Sequence, residues 1–121
     1  MSGRIIFLAL TLVLAMPLSG WAADDQGRYR VVGYGSFGCD DYVVASSTNR
    51  LDDAGFENWI AGYLSGINYA WADTFDIKGD LGLPAVKDWL FSYCDQHGGD
   101  NVAAALSAFV RQSYETRQKM K

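Results

Sequence analysis

The sequence predicts an all-α fold: a small bundle of about four helices around one central helix, clamped by one disulfide and preceded by an extended N-terminal lead-in. Three observations carry this expectation. Bulky apolar residues recur at steps of three and four between Phe56 and Trp71, which is the spacing of a single helix face. Pro84 and the His97-Gly98-Gly99 run punctuate the rest of the chain as helix start and stop signals do. The chain has two cysteines, Cys39 and Cys94, placed to tie the front of the helical region to its third helix.

The first residues read in three zones. Arg4 gives a positive start, residues 5–16 are an uncharged apolar run, and residues 17–23 form a small-residue exit. That is the build of a secretory signal peptide. Cleavage after Ala22 places Gly20 and Ala22 at the two inspected positions, whereas cleavage after Ala23 would place bulky Trp21 there. A membrane anchor needs about 18 apolar residues, and Pro17, Ser19 and Gly20 interrupt this run. The expected organisation is a signal peptide at 1–22, a lead-in at 23–35, a helical domain at 36–114 and a polar tail at 115–121.

Removing 22 of the 121 residues leaves 99, with fourteen Asp and Glu against nine Lys and Arg once Arg4 is gone, a net charge of −5. Such a surface repels DNA and anionic lipid rather than steering them in. An exported chain of this size buries a modest core and commonly adds a covalent staple. Pairing Cys39 with Cys94 would close a loop of about 55 residues, worth roughly 4 kcal/mol on the chain-entropy model. Two free buried thiols, or an intermolecular bridge, are the competing readings. One His and two distant Cys do not make a metal ligand set, and no cofactor is expected.

Along the mature chain, Tyr29 to Tyr34 has strand-like composition, but one short extended segment cannot make a sheet alone. Cys39 to Ala45 is predicted as the first helix, with Asp40 and Asp41 at its positive end. Ser46-Ser47-Thr48-Asn49 is expected to break it, because such side chains compete for backbone hydrogen bonds. The central helix is placed from about Asp53 to Asp73, capped by Asp52 or Asp53, and on the order of 30 Å long.

Its buried stripe holds Phe56, Trp59, Ile60, Tyr63, Leu64, Ile67 and Trp71. Gly62 and Gly66 share one face, where each costs on the order of 1 kcal/mol relative to Ala. The expected compensation is another helix, or the disulfide, passing close to the bare backbone. Glu57, Asn58 and Asn68 rule out the membrane reading of this spacing. Residues 73–82 read as a solvated surface loop. Pro84 suits the first turn of a third helix with Val86, Trp89, Leu90, Tyr93 and Cys94 on one side. Asp100 is expected to cap a fourth helix whose inner face is Val102, Leu106, Phe109, Val110 and Ser113. Beyond Tyr114 the chain is polar and is expected to fray.

Signals of catalysis are sparse. The single His97 sits at a helix end, where capping is the ordinary role. Ser65 lacks a nucleophile-elbow context and is expected to bond a backbone carbonyl. Asp40/Asp41 and Asp52/Asp53 are explained as helix starts. Asp73, Asp76 and Asp80 lack the alternating spacing of an EF-hand loop. What remains is an aromatic excess of three mature Trp, seven Tyr and several Phe, more than a core of this size hides. Trp59, Tyr63 and Trp89, with Gly62 and Gly66, are assigned to helix packing. Tyr69, Trp71 and Phe75, with Asp76 and Asp80, are the candidate partner-binding residues, since exposed aromatics anchor protein interfaces. The alternative is that the aromatics simply fill the core.

A signal peptide, then Cys39-Asp40-Asp41-Tyr42, then Trp59-Ile60-Ala61-Gly62-Tyr63-Leu64-Ser65-Gly66, then Tyr93-Cys94-Asp95-Gln96 before a last amphipathic helix resembles the HdeA-like periplasmic proteins. That group contains acid-stress chaperones and the Tai-type immunity proteins of type VI secretion, and the resemblance runs from about residue 36 to 112. It implies a helical, disulfide-clamped periplasmic fold, often dimeric. The Gly62 to Gly66 stretch is more similar to the immunity branch. This chain is longer, richer in Trp and Tyr, and carries Gly in its central helix, unlike the chaperone branch.

The expected function is therefore an exported, non-enzymatic protein that binds another protein, as an immunity protein binds an effector. The alternative is an acid-responsive holdase for unfolded clients: below about pH 3 its carboxylates are mostly protonated, leaving a charge near about +10. A small periplasmic hydrolase is the second alternative and needs a carboxylate site the sequence does not display.

Overall fold

The computed structural model describes residues 23–24, 26, 28–48 and 50–121, with the backbone alone at 50 and 51. The expected signal peptide at 1–22 lies outside the described residues. A 3₁₀ turn at Gly33–Ser36 leads into α1 (Cys39–Thr48), α2 (Arg50–Ala70), α3 (Leu83–Gln96) and α4 (Val102–Ser113), and a second 3₁₀ turn follows at Tyr114–Thr116. Among the described residues there is no strand, only two isolated antiparallel bridges, Gly38 with Asn101 and Asp76 with Gln118. The fold is all-α, with a bond between Cys39 and Cys94 and no free cysteine. Among the described residues no helix is long and apolar enough to cross a membrane.

The core forms where the predicted stripes meet. Phe56, Ile60 and Leu64 of α2 pack with Val86, Leu90 and Cys94 of α3 and with Val102, Leu106, Phe109 and Val110 of α4. Both sulfurs' residues are fully buried in this cluster, so the disulfide fastens α1 to α3 inside the core. Tyr42 of α1 is also fully buried. Its hydroxyl donates to the Lys87 carbonyl at 3.1 Å, which satisfies the one polar atom that burial would otherwise strand, and burial pushes its pKa up.

Lys87 fastens α3 to α2 from the outside, donating to Asp53 at 3.0 Å and to Glu57 at 2.8 Å. Partial burial works to lower the Lys87 pKa, but hydrogen bonds from its ammonium to Glu57 and Asp53 outweigh that and raise it. Trp59, Tyr63 and Trp89 are half-buried against the core, Trp59 stacking on Tyr63 and Trp89 on Tyr93.

Several boundaries differ from the sequence reading, each for a local reason. Ser46, Ser47 and Thr48 do not break α1: their hydroxyls donate to the carbonyls of Tyr42, Val43 and Val44 at 2.8, 3.0 and 2.7 Å. This back-bonding within one turn lets such residues stay helical. Asp52 and Asp53 do not cap α2 but lie in its first turn, and the helix stops at Ala70, short of Asp73. The cap of α4 is Asn101, whose side chain accepts the Ala104 N–H at 2.8 Å. Asp100 instead accepts the Tyr93 hydroxyl at 2.8 Å, and its carbonyl accepts the Cys39 N–H at 2.9 Å.

The larger correction concerns glycine. Gly62 and Gly66 are exposed, and a Cβ at either would meet nothing within 4 Å among the described residues. Among the described residues no helix and no disulfide passes there. Gly62→Ala and Gly66→Ala should each therefore stabilise the domain by about 1 kcal/mol, read by chemical denaturation; a loss of stability in either would contradict the open face. Close approach occurs instead at Gly35 and Gly55, against the rings of Trp59 and Tyr34.

Candidate partner-binding surface

The candidate residues gather where α2 ends and the C-terminal segment returns. Asp73 turns the chain after α2 with φ +54, a left-handed conformation that Asp tolerates better than most side chains. Beneath it Arg117 is almost fully buried. Its Nε donates to Thr74 Oγ1 at 3.1 Å, one terminal nitrogen to the Tyr114 carbonyl at 2.6 Å, and the other lies 3.8 Å from Asp73. The guanidinium also sits 3.9 Å over the Tyr114 ring. One cation thus ties the loop after α2 to the turn after α4.

Gln118 completes this clasp. Its carbonyl accepts the N–H groups of Phe75 and Asp76 at 2.8 and 3.2 Å, and its own N–H donates to the Asp76 carbonyl at 2.8 Å. Its side-chain amide donates to the Gly79 carbonyl and to Asp80 Oδ1, both at 3.1 Å. Gly79 has φ +63, and a Cβ there would stand 2.6 Å from the Thr116 carbonyl oxygen, so this position needs glycine. The expected fraying beyond Tyr114 is therefore wrong: the segment is locked by backbone pairing that a polar composition conceals.

The loop at 73–82 is likewise not simply solvated. Ile77 is fully buried, Thr74 nearly so, and the Ile77 N–H donates to Asn68 Oδ1 at 2.8 Å. Asp76 accepts the Lys78 N–H at 3.0 Å and pairs with the Lys78 ammonium. Burial pushes the Asp76 carboxyl up, but the Lys78 hydrogen bonds and charge, with help from Asn68, hold it below its ordinary value. A carboxylate with a lowered folded pKa stabilises the fold above its unfolded value, near about 3.9, and that contribution disappears as pH falls through the folded value. Asp76→Asn should therefore lose less melting temperature than wild type between about pH 6 and about pH 3; equal losses would refute this.

On that braced frame the aromatic residues face outward. Tyr69, in the last turn of α2, is 94% exposed and Phe75 is 63% exposed. Trp71 is half-buried, its ring edge-on to Tyr114 at 5.7 Å. Phe75, Asp80 and residues 118–121 line a groove of about 770 Å³, whose Met120 is 62% exposed. The clasp brings Trp71, Phe75, Asp76 and Asp80 together, with Asp76 turned to bracing and Asp80 at the groove. Tyr69 projects separately, and among the described residues its ring stacks on no other. Sequence reasoning missed Arg117, Gln118, Tyr114 and Met120. Only Gly79, within a Lys-Gly-Asp turn, gave a readable hint.

The residues considered for chemistry are engaged structurally. The His97 ring lies 4.0 Å over Tyr93 with Nδ1 2.8 Å from the Tyr93 carbonyl, and the His97 backbone N–H donates to the Cys94 carbonyl at the end of α3. Ser65 donates to the Ala61 carbonyl at 2.8 Å. Among the described residues no three His, Cys, Asp or Glu are placed to hold a metal ion. Comparisons of the chain with protein families, with curated proteins and with solved structures return no match.

Proposed function

We propose that this chain is an exported, non-enzymatic protein that binds another protein through the Tyr69–Phe75 end, in the manner of an immunity protein that neutralises an effector in the periplasm. The observation that carries this reading is the pairing of exposure with rigidity: two large aromatics stand in solvent, Tyr69 on the last turn of α2 and Phe75 on the following loop, which a buried arginine and a backbone clasp hold. Aromatic anchors on a pre-ordered frame lose little entropy on binding. The acidic net charge, the buried disulfide and the resemblance to the HdeA-like group support it.

The test uses Tyr69→Ser with Phe75→Ser, both substitutions at exposed positions. Crosslinking in the exporting cell should recover one stoichiometric partner with wild type and lose it with the double variant, at unchanged melting temperature. Absence of a stoichiometric partner, or equal recovery by both proteins, overturns the proposal.

A second reading, an acid-responsive holdase, is favoured by one observation. The pair Asp76 with Lys78 braces this loop, and acid strong enough to protonate Asp76 removes it. Loosening would bare Ile77 and the underlying core to clients while the disulfide keeps the helices tethered. Failure to suppress client aggregation below about pH 3, where carboxylates are protonated, rejects this reading.

A further inference from the structure

The groove beside the clasp leaves positive charge open in a chain that carries more acid than base. Elsewhere the described cations are engaged: Lys78 pairs with Asp76, and Lys87 with Asp53 and Glu57. Among the described residues neither Lys119 nor Lys121, both lining the groove, has an acidic partner. The carboxylate of the groove, Asp80, already accepts the Gln118 amide at 3.1 Å. Two open ammonium groups beside one engaged carboxylate favour a negative visitor.

The backbone is open as well. Gln118 turns both its N–H and its carbonyl to Asp76, as a hydrogen-bonded pair of an antiparallel ladder does. Peptide groups alternate sides along such a chain, so those of Lys119 point away from the Asp76 loop. Among the described residues the N–H groups of Lys119 and Met120 have no acceptor. A free edge of this kind pairs with an added extended segment, main-chain bonds giving affinity and side-chain pockets giving specificity. A helix laid here would leave that edge unused.

The side chains set the pattern such a segment must have. Met120 stands between the two lysines in sequence, and in an extended chain alternate residues point to opposite faces. Exposed Phe75 and Met120 line the same groove. An aliphatic side chain fits between them, the thioether adapting to its shape.

We propose that the partner enters this groove as an extended segment of alternating acidic and aliphatic residues. Its backbone pairs along residues 119–121, its carboxylates meet the Lys119 and Lys121 ammonium groups, and its aliphatic side chain packs on Phe75 and Met120. This rests on the partner-binding reading above and names the chemistry of what is bound.

Three blocked five-residue peptides test it: one of alternating glutamate and leucine, one with lysine in place of glutamate, and one with serine in place of leucine. Each is titrated to millimolar concentration against isotope-labelled protein while the backbone amides are followed by NMR. The glutamate–leucine probe should shift the amides of Phe75, Lys119 and Met120, and its binding should weaken with added salt. The other two should bind about tenfold more weakly or worse. Lys119→Glu with Lys121→Glu should also lose about tenfold, at unchanged melting temperature, since both side chains are exposed. A glutamate–leucine probe that shifts nothing, equal binding by the lysine or serine probe, or a charge-reversed variant that binds like wild type overturns the proposal. In the crosslinking experiment above, a partner lost with Tyr69→Ser and Phe75→Ser, yet held as firmly by the charge-reversed variant, keeps the binding reading and overturns this one.

Discussion

Reducing the bond between Cys39 and Cys94 should lower the melting temperature of the domain by about 15–30 °C. The two residues are 55 positions apart, and on the chain-entropy model opening a loop of that length releases about 4 kcal/mol of constraint on the unfolded chain. For a domain of this size each kcal/mol moves the melt by about 4–8 °C. The native side adds to the effect, because both cysteines are fully buried between α1 and α3 and free thiols there leave the front of the bundle held by packing and the Tyr42 and Cys39 hydrogen bonds, with no covalent tie. Thermal melts with and without reductant, and of Cys39→Ala with Cys94→Ala, measure it. A melt unchanged by reduction would show that α1 stays docked without its staple.

The second large effect is expected at Gly35, a glycine that nothing in its sequence context singles out. A Cβ at Gly35 would stand 2.1 Å from the six-membered ring of Trp59, far inside any real contact. The indole cannot readily retreat: its Nε1 donates to the Val32 carbonyl at 2.8 Å and its face stacks on Tyr63 at 5.4 Å. Gly35→Ala should therefore cost about 2–3 kcal/mol, the usual penalty for overpacking a fixed environment. Gly55→Ala should act in the same direction, since its Cβ would stand 2.3 Å from the Tyr34 ring. Denaturant titrations decide this, and a Gly35→Ala variant within a few tenths of a kcal/mol of wild type would mean that the lead-in peels away from Trp59 at little expense.

These glycines show where sequence reading works and where it stops. The stripes of α2 and α4 were legible because helix periodicity is local: Ile60, Leu64, Leu106 and Phe109 announce their burial by spacing alone, and all four are in the core. Gly62 and Gly66 looked meaningful for their spacing yet face open solvent, because what a glycine meets depends on a distant segment. Ser46 to Thr48 were misread because a hydroxyl that can leave the helix can equally bond back into it. The choice between Asp100 and Asn101 as cap turned on a single residue, within the ordinary slack of helix ends.

The candidate surface was legible only in its outward half. Tyr69 and Phe75 are conspicuous as aromatics, Phe75 directly before Asp76. The bracing beneath them is not, since Arg117 and Gln118 act on Thr74 and Gly79, 43 and 39 positions earlier. Nothing in a short polar stretch records which carbonyl it will meet. Sequence alone assigned the five candidate residues one role, whereas Asp76 braces the loop that carries Phe75 and Asp80.

The clasp also sets an order of assembly. As the polypeptide emerges from its N-terminal side, α1, α2 and α3 can pack and the cysteines can meet before Arg117 and Gln118 have been delivered. The display of Phe75 is finished only when they arrive. A chain ending at Ser113 would keep α1 to α4 and their covalent tie while lacking Arg117 and Gln118, so a message cut short there would yield the helical body with the Phe75 loop left unbraced.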